Sequence, residues 1–160
     1  MRDNALVLLS LGHGAGLQAA EMARLRGSHV TEDCEGVVVH VSGDKDRPVP
    51  VLRNWEELIF EFAESAGDRF LFRPDRDKAD RHQTSNFIAR CAKSAGGPPA
   101  FALQRLRTTW VVNHLISGVP PNELAKVAGM QRTQLAKYFN LLPDADPRTI
   151  RRWLREGSRP

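Results

Sequence analysis

The side chains best suited to chemistry in this sequence lie late in the chain. Tyr138 is its single tyrosine, and a phenol hydroxyl becomes a nucleophile once a neighbouring group activates it. Arg107, on an apolar run upstream, has two uses open to it: contact with a phosphate, or an ion pair with a carboxylate such as Glu21. Arg105, Arg132 and Lys137 stand nearby and suit phosphate contacts, whose affinity falls steeply with salt. Leu135, Tyr138, Phe139 and Leu142 recur at i, i+3, i+4 and i+7, so an amphipathic helix turns Tyr138 toward the core. His114, on the same run as Arg107, reads as a core histidine. His13, His29, His40 and His82 share no ligand spacing, and Cys34 and Cys91 form no CxxC, so neither a metal nor another cofactor is expected. Gly12-His13-Gly14 begins like a dinucleotide-binding loop, but the glycine needed five residues after the first is Leu17 here.

The elements that must position these residues follow from patterning. At 160 residues and 41% hydrophobic content the chain has enough for one core. Residues 4 to 11 read as a short buried helix broken by Gly12, Gly14 and Gly16. Val37, Val38, Val39 and Val41 make a strand, Gly43-Asp44 a turn, and Arg47 to Val51 a second strand, which Pro48 and Pro50 confine to an edge. Asn54 and Glu57 form a capping box ahead of Trp55, Leu58, Ile59 and Phe62, which share one helical face, and Gly67 ends that helix. A polar loop over 73 to 83 follows the short apolar element Phe70 to Phe72. Thr84 or Ser85 then caps a helix through Lys93, and Gly96-Gly97-Pro98-Pro99 breaks the chain. A central helix over 101 to 117 stops before Pro120-Pro121, and Asn122 restarts the chain. Pro147 to Glu156 is a basic helix anchored by Ile150, Trp153 and Leu154.

Charge is divided unevenly along this plan. Residues 1 to 104 carry 13 basic and 15 acidic side chains, whereas 105 to 160 carry 10 and 4, a field that favours polyanions, nucleic acid first. The apolar run Ala5 to Leu11 is seven residues long, and no stretch approaches the roughly 20 that a membrane span needs. No membrane partner is expected, and a cytoplasmic location with reduced cysteines is.

Arg107, the turn Gly118-Val119, Gly129 and Tyr138 stand in the order and near the spacing found in the C-terminal half of the tyrosine recombinase (phage integrase) catalytic domain, and Leu103 to Leu142 resembles that family. Upstream, Glu21 and Leu25-Arg26 match a family segment that precedes a hairpin. The resemblance implies a mainly α domain with a small antiparallel β-sheet: residues 1 to 160 as a single integrase-like catalytic core without the family's N-terminal core-binding domain. It also implies a reaction in which a Tyr attacks a DNA phosphodiester, two arginines neutralise the phosphoryl oxygens, and Lys and His groups move protons. Gln18, Ser42, Gln104 and Met130 occupy the positions of an Arg, the Lys and two imidazoles, and Tyr138 falls one residue short, where Phe139 sits. Loss of one such donor costs on the order of 100 to 1,000-fold in rate, so that, even allowing for non-additivity among the four, recombination at a useful rate is not expected.

The expectation is therefore a catalytically inactive, integrase-like DNA-binding domain. Arg26, Lys45, Arg47, Arg105, Arg107, Arg132 and Lys137 would hold DNA weakly and in a salt-dependent way, with a second copy or an active recombinase as protein partner. Three other readings stay open. One is an active recombinase using Tyr138 and Arg107, with Lys45 as a replacement acid. Another is a helix-turn-helix regulator, because Ala125, Gly129 and Leu135 follow that motif's spacing and Arg132, Gln134 and Lys137 fall on its recognition helix. The third is a protein-interaction module.

Overall fold

The computed structural model describes residues 2–43, 45–80, 82–94 and 102–157. The first helix, α1 (Arg2–Gly14), runs past the expected break because Gly12 and Gly14 are where it meets Leu106 and Trp55 at close range. The turn comes instead at Gly16, whose φ of +59° suits glycine, and an added Cβ there would lie 2.4 Å from the Trp110 ring. A single turn, α2 (Ala19–Met22), and a 3₁₀ turn at Gly27–His29 lead into the sheet.

That sheet is β1 (Val30–Asp33), β2 (Gly36–Val41) and β3 (Arg47–Pro50), antiparallel in the order β1-β2-β3. Asp44 of the expected turn lies outside the described residues. Pro48 pairs with His40 and Pro50 with Val38 on an edge strand, as their missing N–H groups require. Val37, Val39, Val41 and Val49 turn inward, and Val38 and His40 face away.

Helix α3 (Arg53–Ala66) is capped by Leu52, not by an Asn54 box. The Leu52 N–H is bonded to the Gly14 carbonyl at 2.9 Å, which holds Leu52 extended and starts the helix one residue later, leaving Asn54 inside the first turn. Its face is as expected, with Ile59 buried, Trp55, Leu58 and Phe62 partly so, and Gly67 at its end. Helix α4 (Gln83–Ser94) also begins earlier than its pattern implied, so Thr84 and Ser85 lie within it rather than capping it. Asp80 shapes that entry, its side chain accepting from His82 N at 2.9 Å and its carbonyl from Gln83 N at 3.1 Å. The Gly96 to Pro99 break lies outside the described residues.

The centre is α5 (Leu103–Ile116), packed against α1, with Trp110 and Val111 fully enclosed. Pro121, not Asn122, opens α6 (Pro121–Val127), because proline at the first helical position loses nothing by lacking an N–H. Residues 132 onward do not form one α-helix. One turn, α7 (Arg132–Leu135), tightens into a 3₁₀ segment, Ala136–Leu141. At three residues per turn Leu135 and Tyr138 both point inward, while Phe139 is left 45% exposed.

The last helix, α8 (Pro147–Glu156), has the expected bounds, with the Asp146 side chain accepting from Arg148 N and Thr149 N and Gly157 left-handed at its end. It is not anchored as expected: Ile150 and Leu154 are exposed and only Trp153 is partly covered. No helix among the described residues is long and apolar enough to cross a membrane.

Candidate functional site

The C-terminal end of α6 is where the chemistry-bearing residues gather. A helix leaves its last carbonyls without N–H partners and carries the negative end of the helix dipole there. Three cations from three other places in the chain reach these carbonyls. Arg47 Nε of β3 donates to Val127 O at 2.6 Å, Arg107 Nη2 of α5 to Ala128 O at 2.5 Å, and Lys45 Nζ of the hairpin to Gly129 O at 2.6 Å. Arg107 Nη1 also donates to the Gly16 carbonyl, so one guanidinium ties α5, the α1–α2 turn and the end of α6 together.

Gly129 makes this convergence possible. Its φ is +62°, and a Cβ there would lie 2.6 Å from Arg47 Cζ. Arg47 continues through an ion pair to Glu21 at 2.9 Å, nearly enclosed on both sides. The carboxylate that sequence spacing offered to Arg107 is therefore Arg47's direct partner. Glu21 also accepts from Gln18 N at 2.8 Å. Burial pushes the Arg107 guanidinium below its ordinary pKa, and the Glu21 charge and the Tyr138 side chain beside it oppose that shift. Tyr138 is 2% exposed, its ring under Lys137 Nζ at 4.9 Å. Arg107 and Tyr138 thus do come together, but inside the protein.

Two adjoining clefts open beside this knot. The larger, about 840 Å³, is lined by Gln18, Gln104 and Arg107, by apolar Leu17 and Leu103, and by α4. The smaller, about 220 Å³, is lined by Gln18, Glu21, Arg24, Ser42, Lys45 and Gly129. Four of the six residues at family positions, Gln18, Ser42, Gln104 and Arg107, therefore border one continuous region. Tyr138 lies behind it, and Met130 follows Gly129 and is packed against the core. Sequence reasoning missed the α4 contribution. Ser85, Ile88, Ala89 and Ala92 face the cleft at i, i+3, i+4 and i+7, a small-residue stripe that is visible in the sequence but resembles any packing face.

The other basic candidates are dispersed. Arg26 lies over the Phe70 ring at 4.5 Å and donates to Asp68 O. Arg105, Arg132 and Lys137 are exposed. His114 is satisfied by Trp110 O at 2.7 Å, and His13 accepts from Trp55 Nε1 at 3.0 Å. Burial, then Arg26 and His40, hold His29 below the usual imidazole pKa. No three His, Cys, Asp or Glu side chains among the described residues are grouped to hold a metal ion. The second helix of a helix-turn-helix is also missing: α7 is one turn, and the segment that continues it packs on α5 through Tyr138.

No family model and no curated protein matches the sequence. Solved structures do match. The crystal structure of XerA recombinase aligns with a TM-score of 0.68 over 99% of this chain and 59% of its own, at 18% identity. The Tn1549 transposon integrase in complex with circular intermediate DNA aligns at 0.66 over 99% and 58%, at 17% identity. The same integrase in complex with transposon right end DNA aligns at 0.63 over 97% and 58%, at 14% identity. The chain thus spans about three fifths of the length of these structures. A mostly helical domain built around a three-stranded antiparallel sheet, superposing over nearly its whole length, has the fold of the tyrosine recombinase catalytic domain.

Proposed function

We propose that this chain is an integrase-like DNA-binding domain that does not cleave DNA. One observation carries the reading: the Arg107 guanidinium is turned onto the Gly16 and Ala128 carbonyls beside an enclosed Tyr138. Arg107 borders the larger cleft with both terminal nitrogens on main-chain carbonyls, Tyr138 lies behind it, and the neighbouring Gln18, Ser42, Gln104 and Met130 supply neither a cation nor an imidazole. Transition-state charge on a phosphoryl group would lack the donors that those four positions supply in the family. DNA as the partner is supported by the fold, by the integrase complexes that share it, and by the basic excess after residue 104. Arg105, Arg132 and Lys137 are exposed and suited to phosphate contacts, whereas Arg47 and Arg107 are committed to the protein's own backbone. The reading places the chain in the cytoplasm, working with a second copy or with an active recombinase.

Duplex titrations at two salt concentrations test the binding half, with weaker binding at the higher salt expected; no salt-dependent association at either would end it. A nicked suicide duplex tests the silent half. No covalent adduct is expected, and an adduct that disappears on Tyr138→Phe would favour the second reading, an active enzyme built on the adjacent Tyr138 and Arg107.

A further inference from the structure

We propose that the arginine face of α8 is a second binding surface for duplex DNA, one that grips the phosphate backbone rather than reading bases. The inference rests on the DNA-binding reading and extends it to a helix that takes no part in the α6 knot. Arg148, Arg151, Arg152 and Arg155 line one open depression. At about 100° per residue these positions fall within an arc of about 100°. Ile150, Trp153 and Leu154 occupy the opposite side. All four arginines are exposed, and none takes part in a salt bridge among the described residues. Glu156 at the rim is the one acid in the helix.

The helix is held so that this face looks outward. Trp153, partly covered on the side of α8 opposite the arginines, lines an apolar cleft with Leu115, Ile116, Leu142 and Pro143. Asp146 caps one end and left-handed Gly157 the other, so the four side chains are presented on a defined rod. From 148 to 155 the rise is about 10 Å, a length over which one DNA strand carries about three phosphates. Guanidinium forks match phosphate oxygens two at a time, and bring positional fit as well as charge. An anionic bilayer fits less well. A helix lying on lipid buries a broad apolar side, whereas here Trp153 is partly covered by the domain and only Ile150 and Leu154 are left exposed beside four guanidinium groups.

The test compares salt slopes of duplex binding by the full chain. Each lost phosphate contact lowers the slope of log K against log salt by about 0.9, so Arg148→Gln/Arg151→Gln/Arg152→Gln/Arg155→Gln, which empties a face spanning about three phosphates, should lower it by about 2.7 and Arg151→Gln/Arg152→Gln by about 1.8. Arg53→Gln/Arg76→Gln, which removes exposed charge elsewhere, should leave it nearly unchanged. Far-UV circular dichroism confirms folding, and the double variant serves if the quadruple one is unstable. An unchanged slope in both α8 variants overturns the proposal, as does an equal loss in the Arg53/Arg76 control, because net charge alone would then explain it. Binding to phosphatidylserine vesicles that depends on the α8 arginines while duplex binding does not also overturns it, in favour of a membrane. Absence of any duplex binding by the unaltered chain would instead defeat the DNA-binding reading itself.

Discussion

Arg47 and Arg107 lie inside the domain with their donors on the carbonyls of Val127, Ala128 and Gly16, whereas Arg148, Arg151, Arg152 and Arg155 stand on an open helical face with no ion pair among the described residues. The two groups share a side chain and differ in what surrounds it. Where a helix ends inside the fold, its orphan carbonyls and dipole draw guanidinium groups inward, and the cation becomes a cross-link. Where a helix has free flanks, the same group remains available to a phosphate. A basic residue at a family position is thus informative about function only once its acceptors are known.

The comparison is tested hardest at Arg107. Arg107→Met deletes two charged hydrogen bonds and strands two enclosed carbonyls. At about 1.5–3 kcal/mol for each, the loss should be about 3–6 kcal/mol, read from urea unfolding. Exposed arginines of α8 should each cost within about 0.5 kcal/mol when replaced by Gln. Similar losses at both places would break the distinction. Next in size is Gly129→Ala, where a left-handed backbone and a Cβ 2.6 Å from Arg47 Cζ both oppose the methyl group. Strain of this kind costs about 1–3 kcal/mol. Gly118→Ala, with positive φ but open space around it, isolates the conformational part, so the excess at Gly129 measures the crowding against Arg47.

The smallest effect is confined to α8. Hydrogen bonds from Thr149, side chain first, and from Arg148 hold the Asp146 carboxyl below its ordinary pKa. A depressed carboxylate contributes stability that is present above its unfolded pKa and lost as pH falls through the folded one. On acidification through that range amide exchange should rise in the first turn of α8 before it rises in α5. Simultaneous loss in both would mean that α8 is not independently held.

Much of the fold was legible because local pattern and tertiary demand agreed. The inward face of α3, the confinement of Pro48 and Pro50 to an edge, and the bounds of α8 follow from spacing and cap residues alone. Asn54 and Glu57 satisfied a capping pattern that the chain does not use, because a bond from Leu52 N to Gly14 O sets the helix start from 38 positions away. The inward turn of Tyr138 was visible at helical spacing, but the tighter 3₁₀ pitch, which leaves Phe139 outside, was not. Least legible was the knot at α6. Its acceptors are main-chain carbonyls, which carry no residue type, and Glu21 could be assigned between Arg47 and Arg107 only by where the hairpin lies.

The two prolines of β3 govern one more property of the molecule. Val51 N donates inward to Val37 O, so at alternate positions 48 and 50 the backbone nitrogens point away from the sheet, and neither carries a hydrogen. A second copy approaching that rim would meet carbonyls but no donors at those two places. Pairing of strands between copies is therefore disfavoured on this side of the sheet.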